Sequence, residues 1–240
     1  MLQKLAAHKN KFTLFLLLAA ASTVSVGLEG VRIWRSGTLH YDFLLWNLGL
    51  AWIPFMLAAL AYVVANARKP ILYGVILASA VAWLVFFPNA PYIFTDLFHL
   101  TARLYSCFWV DLCLILLCAL TGLVLGFVSL YLMQSVVERM LGRTASWVFI
   151  AGVAALSGFG IYLGRFMRFN SWDVLFKPHQ VYHGIGHWVT NPLSNSNSLA
   201  FPVLFGTFLF ITYLMLYALT HLKAAQPMTL PRKIEAPGLA

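Results

Sequence analysis

The side chains best suited to chemistry follow a long apolar stretch, in the segment 87–100. Two prolines three residues apart interrupt the preceding helix there. A short helix that restarts near Tyr92 would place Tyr92, Asp96 and His99 on one face, and Asn89 is positioned to cap it. A carboxylate and an imidazole one turn apart can do acid–base work or share a metal, so Asp96 and His99 are candidate catalytic residues. The alternative is a capped interfacial helix with a solvated Asp and His.

Two arginines form the second candidate group. Arg165 and Arg168 lie one helical turn apart in the segment 160–173, beside several aromatic residues. They can be explained as two anchors in the aromatic belt at the membrane surface. They can equally be explained as an anion site, because a guanidinium offers a bidentate fork to a carboxylate or a phosphate.

Three histidines follow at four-residue spacing, at His179, His183 and His187. On a regular helix they would stack along one face and could hold zinc or copper. A proline precedes them, however, and Gly184 and Gly186 interrupt them, which argues against a regular helix. We therefore expect loop or interfacial histidines, no metal site and no cofactor.

The composition shows what must position these residues. The 240-residue chain is 61% hydrophobic and 10% charged, whereas soluble domains carry about 25% charged residues. The apolar residues form separate blocks of roughly membrane-spanning length, and such blocks in a bilayer must be helical to satisfy their own backbone. We predict an all-α fold, a polytopic membrane helical bundle with about six transmembrane helices. The net charge of +9 is spread over short loops and reads as a topology signal, so no nucleic-acid partner is expected.

Six predicted spans follow from the hydropathy pattern. The first resembles a signal peptide, but its length and the spans after it favour an uncleaved anchor over cleavage near residues 21–25. The approximate bounds are Phe12–Leu28, Phe43–Ala65, Ile71–Phe87, Cys107–Met133, Ser146–Gly164 and Leu199–Leu219. We assign residues 1–222 to one transmembrane domain and residues 223–240 to a disordered cytoplasmic tail.

The basic residues predict the orientation. Six spans place both termini on one side, and that side holds ten basic residues against six on the other. The positive-inside rule therefore predicts a multi-pass protein of the cell membrane with both termini in the cytoplasm. It follows that the long connections 88–106 and 165–198 face outward.

Two further features concern the interior of the bundle. Gly122 and Gly126, and Ala154 and Gly158, have the four-residue spacing that lets helices approach closely, which favours packing within the chain over a dimer interface. Asp111 lies just inside the fourth span, where outward solvation is the simpler expectation and a proton relay the alternative. No internal repeat supports an inverted-repeat transporter.

The two polar segments, FPNAPYIFTDLFHL and GIYLGRFMRFNSWD, resemble the signature segments of a bacterial membrane-protein family called domain of unknown function 1361. The order and spacing of the spans are similar too, over most of the chain except the tail. The resemblance implies membrane location and no assigned activity. The residues that match the family pattern are Asn89, Pro91, Tyr92, Thr95, Asp96, His99, Arg165, Arg168, Asn170, Trp172 and Asp173.

Three functions are compatible with these patterns. The first is binding or transport of a small or lipid-borne anionic ligand at an outward-facing polar site. The second is a membrane enzyme that uses Asp96 and His99 at the outer leaflet, and the third is a scaffold without a ligand. For the first we expect Asp96 to meet Arg165 and Arg168 at the outer membrane edge. The predicted ligand-binding residues are Asn89, Tyr92, Asp96, Arg165, Arg168, Asn170 and Asp173.

Overall fold

The computed structural model describes residues 2–67, 72–100, 108–190 and 196–221, and it contains helices and no strands within those ranges. The predicted tail, residues 223–240, lies outside them. The helices are α1 (Leu2–Ser36), α2 (Asp42–Asn66), α3 (Tyr73–Phe86), α4 (Asn89–Tyr92), a 3-10 helix (Ile93–His99), α5 (Phe108–Leu141), α6 (Arg143–Phe166), α7 (Asp173–Phe176), α8 (Pro178–Thr190) and α9 (Ser196–His221).

Six helical segments are long and apolar enough to cross a membrane, which confirms the predicted all-α multi-pass bundle. Five of them are α1, α2, α5, α6 and α9. The remaining span begins with α3 and continues as far as His99. Most span ends lie within a few residues of their predicted positions, but the first, third and fourth spans extend 8 to 12 residues further.

The third span is longer than predicted because its prolines do not end it. Pro88 lacks a backbone N–H, yet the chain keeps right-handed helical angles there and continues into α4 and the 3-10 helix. Asn89 makes no side-chain cap on α4, so the predicted capping role is wrong. The segment is a bent continuation of the span, and it carries its polar residues inside the bundle end.

Close packing around α5 positions this bent segment. A Cβ on Gly122 would lie 2.7 Å from the backbone oxygen of Ala90 and 2.8 Å from Ile93, so the glycine allows α4 to lie directly against α5. On the other side of the bundle, Gly158 of α6 faces the backbone of Pro202 and Gly206 in α9. The expected packing role of these small residues within the chain is confirmed at both places.

Asp111 is buried instead of solvated. Its carboxylate accepts a hydrogen bond of 2.9 Å from Nε of Arg32, and the two side chains are 6% and 1% exposed. The expectation of outward solvation is therefore wrong. An ionisable side chain inside an apolar bundle needs a partner, and α1 supplies one.

Candidate functional site

A cavity of about 740 Å³ opens beside the end of the third span. Its walls come from the start of α2, the bent segment after α3, the end of α6 and the chain that follows α6. The residues with polar side chains that line it are Asn47, Asn89, Tyr92, Asp96, His99, Arg165, Arg168, Asn170 and Ser171.

Asp96 is the most buried ionisable side chain of this cavity, at 1% exposure. Its Oδ2 accepts a 3.0 Å hydrogen bond from the amide of Asn47, and its Oδ1 forms a 3.1 Å ion pair with Nη1 of Arg165. A carboxylate can remain ionised at such depth when both oxygens are bonded. The expected pairing of Asp96 with an arginine is thus present, through Arg165.

Arg165 lies between the two candidate catalytic residues. While Nη1 bonds to Asp96, Nη2 lies 3.1 Å from Nε2 of His99. A guanidinium only donates hydrogen bonds, so Nε2 is the acceptor and the ring proton is on Nδ1. Asp96 and His99 therefore do not form a direct acid–base dyad, since each is bonded to Arg165. The guanidinium also lies 5.7 Å from the ring centre of Phe98.

Arg168 differs from Arg165 in having no partner among the residues that the structure describes. It lines the cavity, and its side chain makes no hydrogen bond or ion pair with the part of the chain that the structure describes. Its backbone is left-handed, with φ of 58°, which L-residues other than glycine seldom adopt. The conformation ends α6, because the N–H groups of Met167 and Phe169 both donate to the carbonyl of Leu163 at 3.2 Å. The turn directs the chain back over the cavity.

A serine joins the two polar segments. Ser171 donates to the backbone oxygen of Val85 at 3.0 Å, close to the break at Pro88. The amide of Asn89 in turn donates to the hydroxyl of Ser171 at 2.9 Å. α3 ends at Phe86, so the carbonyl of Val85 is one of the last four of the helix, which lack a donor within a regular helix, and this serine provides one. The chain after α6 is therefore fixed to the end of α3.

Asp173 stabilises that same chain from outside the cavity. Its Oδ2 accepts the backbone N–H of Asn170 at 2.7 Å, and its Oδ1 lies 3.5 Å from Nζ of Lys177. The backbone hydrogen bond from Asn170, helped by the Lys177 charge, holds the pKa of the Asp173 carboxyl below its ordinary value. Asp173 is thus engaged locally and does not compete for the two arginines.

The structure brings together most of the residues singled out from sequence, and adds two. Asn47 and Ser171 line the cavity and hold its other polar groups, but neither was predicted as a site residue. Asn47 carried a usable signal, because an amide inside an apolar span needs a hydrogen-bonding partner. Ser171 carried no signal of its own, since serine is common at membrane edges.

The three histidines lie on α8, which is regular through Gly184 and Gly186, so the predicted disruption of the helix is wrong. Gly184 packs against the ring of Phe169, a contact that would bring an added Cβ within 2.8 Å. Nε2 of His179 and Nε2 of His183 lie 3.0 Å apart on the exposed face. Within the described ranges, no three His, Cys, Asp or Glu side chains are grouped as metal ligands.

Comparison with known proteins identifies the family. The family model described as "Protein of unknown function (DUF1361)" matches residues 46–212, which include every polar residue that lines the cavity. No curated protein and no solved structure matches the chain. The match covers more than half of the 240 residues, so the chain belongs to the DUF1361 family.

Proposed function

We propose that this DUF1361 member binds a small or lipid-borne anionic ligand in the cavity, in a binding or transport role. One observation carries the proposal. Arg168 lines the cavity, its exposed side chain has no partner among the described residues, and its backbone is left-handed. Strained residues persist where the surroundings fix them, and such positions cluster at ligand sites.

The charges of the cavity support an anion. Two guanidinium groups and one carboxylate line it, and the hydrogen bond from Arg165 leaves His99 neutral. The Asp96 carboxylate is balanced by Arg165, so the charge of Arg168 remains in excess. A pair that served only the fold would need no second arginine. An anionic group that reached both guanidinium groups would gain charge-assisted hydrogen bonds.

The size and position of the cavity fit a phosphate or carboxylate carried on a larger molecule. Ligand sites commonly measure about 300–1,000 Å³, and this one measures about 740 Å³. Beside it, the rings of Trp46 and Trp172 pack edge to face with their centres 6.4 Å apart. Tryptophan residues are enriched at the level of the lipid headgroups. A headgroup in the bilayer could therefore enter as readily as a free anion.

The orientation of the site is part of the proposal. The positive-inside rule places both termini in the cytoplasm, and the ends of the third and fifth spans then lie on the other face of the membrane. The ligand would enter from the non-cytoplasmic side.

The enzyme alternative has one specific support, which is that Asp96 and His99 line the same cavity. Arg165 would have to move before Nε2 of His99 or Oδ1 of Asp96 could exchange a proton with a substrate. The scaffold alternative expects the signature residues to pair with one another in a dry core, and the unpaired Arg168 argues against it. Binding is therefore the function that the geometry favours.

Titration of the purified, delipidated protein tests the proposal. The probes are inorganic phosphate, dioctanoyl phosphatidylglycerol and zwitterionic dioctanoyl phosphatidylcholine, with tryptophan fluorescence as the readout. We expect saturable binding of phosphate or of the phosphatidylglycerol. Arg168→Gln should weaken it about 10- to 100-fold, because a hydrogen bond to a charged group contributes about 1.5–3 kcal/mol.

The matched control is Arg143→Gln, because Arg143 is exposed at the first residue of α6, whereas Arg168 follows the last residue of that helix. It should leave the affinity unchanged. Binding of phosphate alone would identify a free anion as the ligand source, and binding of the phosphatidylglycerol alone would identify a lipid. Equal affinity for both lipids would contradict an anion site at Arg168, and so would an equal loss of affinity in Arg168→Gln and Arg143→Gln.

A further inference from the structure

A second group of charged side chains is buried near the cavity, between α1 and α5. Arg32 donates from Nε to Asp111 at 2.9 Å and from Nη1 to the backbone oxygen of Thr38 at 2.9 Å. Glu29, one turn earlier on α1, lies 3.9 Å from Nη1 of Arg32, which is too long for a hydrogen bond. The side chains of Glu29, Arg32 and Asp111 are 2%, 1% and 6% exposed.

Glu29 is the one of these three side chains that has no hydrogen bond within the described ranges. Both of its carboxyl oxygens are buried, and neither receives a hydrogen bond from any residue in the described ranges. The backbone N–H of Tyr41 faces the carboxyl without hydrogen-bond geometry. A carboxylate without hydrogen bonds in an apolar interior is strongly disfavoured, whereas the neutral acid is tolerated far better.

The neighbouring charges also favour the neutral form of Glu29. Arg32 is the only cation among the described groups that face Glu29, and its shortest ion pair is with Asp111. Two carboxyl groups thus share one guanidinium, so the buried group as a whole has one negative charge too many. The titratable and charged groups that face Glu29 are Arg32 of α1, Tyr41 of the following connection, Asp42 of α2, and Asp111 and Cys118 of α5.

We propose that Glu29 is a proton-binding site, with the carboxyl protonated in the state described here. The bound proton removes the excess negative charge, and Arg32 then pairs with Asp111 alone. Loss of the proton would create a second carboxylate that competes for Arg32, one helical turn away on the same helix. Glu29 and Arg32 precede the matched family segment, whereas Asp111 lies within it.

The proton site is connected to the cavity. The guanidinium of Arg32 lies 4.5 Å from the ring centre of Tyr41, and the Tyr41 hydroxyl donates to the backbone oxygen of His99 at 3.1 Å. Burial raises the pKa of the Tyr41 phenol, so the hydroxyl keeps its proton and remains a donor. A shift of Arg32 toward Glu29 would therefore disturb the chain segment that holds His99. Protonation of Glu29 does not depend on which ligand the cavity binds.

Infrared spectroscopy of the purified protein in lipid tests the proposal, because a protonated carboxylic acid has its own carbonyl stretching band. The chain has seven acidic residues, so few side chains can contribute such a band. We expect a band near neutral pH that disappears in Glu29→Gln and persists in Asp42→Asn, which removes an exposed acid nearby. A wild-type spectrum without the band, or a folded Glu29→Gln variant that retains it, would overturn the proposal.

Asp111→Asn provides an independent test that does not require Glu29 to be changed. The variant frees Arg32 from its carboxylate partner, so Arg32 should turn to Glu29 and hold it ionised. The acid band should then be lost, although the Glu29 side chain is intact. A band of unchanged intensity in a folded Asp111→Asn protein would show that Arg32 does not control the proton, and it would contradict the shared-guanidinium account.

Discussion

The Asp96 side chain depends on two donors from different spans, Asn47 in α2 and Arg165 in α6. These bonds connect three spans at one end of the bundle, and Asp96 is almost fully buried while Arg165 is 18% exposed. The carboxylate therefore stabilises the fold as well as setting the charge of the cavity. Its removal leaves a partly buried guanidinium without its counter-ion, which is the costly case for a buried pair.

We expect Asp96→Ala to lower the free energy of unfolding by about 3 kcal/mol, at the lower end of the range for broken buried pairs because Arg165 reaches water. The measurement is equilibrium unfolding of the purified protein in detergent. The double variant Asp96→Ala/Arg165→Met is the control, and it should be more stable than the single variant because no unpaired charge remains. A single variant within about 0.5 kcal/mol of wild type would contradict a structural role for the pair.

Arg168 should be unfavourable for stability because of its backbone. A left-handed residue with a Cβ costs about 1–2 kcal/mol relative to glycine. We therefore expect Arg168→Gly to be about 1 kcal/mol more stable than Arg168→Ala, in the same unfolding measurement. The two variants lose the same charge, so their difference isolates the backbone. Equal stabilities would indicate that the left-handed turn is absent.

The side chains that could be singled out from the sequence are those whose types are unusual in a membrane. Asp96, Arg165 and Arg168 stand out because ionisable side chains near hydrocarbon are rare. The pairing of Asp96 with Arg165 was predicted, but the hydrogen bonds from Asn47 to Asp96 and from Arg32 to Asp111 were not, because contacts between distant spans bring those groups together. The solvation expected for Asp111 failed for this reason, since its partner comes from a helix 79 residues earlier.

Among the elements, the bent third span determines the shape of the site. Its polar residues lie inside the bundle end because Gly122 and Gly126 of α5 let α4 approach, and because Ser171 satisfies the carbonyl of Val85. Six apolar blocks were sufficient to predict the spans. The continuation through Pro88 was not predictable from local propensity, because it depends on a donor supplied by a segment more than 80 residues away.

The contact between α6 and α9 allows a matched pair of substitutions on one helix. A Cβ on Gly158 would overlap the backbone oxygen of Pro202 and lie 2.8 Å from the backbone nitrogen of Gly206, whereas a Cβ on Gly152 meets nothing within 4 Å. We expect Gly158→Ala to lower the free energy of unfolding by about 1–3 kcal/mol, because two helix backbones must separate. Gly152→Ala should be neutral or slightly stabilising. Similar effects of both would mean that α6 and α9 are not in close contact.

For the whole molecule, an even number of spans puts both ends of the chain on one side, and the basic residues predict which side that is. The cavity, the proton site and α8 lie at the ends of the spans that face the other side. The hydropathy pattern of the chain predicted the number of spans and the fold class. The cavity itself could not be predicted, because it is the space left where the bent segment, α2 and the chain after α6 fail to fill the bundle end.

The orientation can be checked by labelling single cysteines in a variant without the three native ones. Gln180 is exposed on α8, and Glu138 is exposed near the connection between α5 and α6. In intact cells a membrane-impermeant thiol reagent should modify Gln180→Cys and spare Glu138→Cys. Glu138→Cys should react once the membrane is opened, which controls for its accessibility. The reverse pattern would place the cavity on the cytoplasmic side.

The most direct test of an anion site at Arg168 is native mass spectrometry of the protein with inorganic phosphate and equal amounts of phosphatidylglycerol and phosphatidylcholine. An anion site at Arg168 predicts that wild type and Arg143→Gly retain phosphatidylglycerol or phosphate in preference to the zwitterionic lipid. Arg168→Gly keeps the fold and removes the unpaired charge, so it should lose that preference. If Arg168→Gly retains the same anionic species in the same proportion as wild type, the cavity does not bind an anion through Arg168.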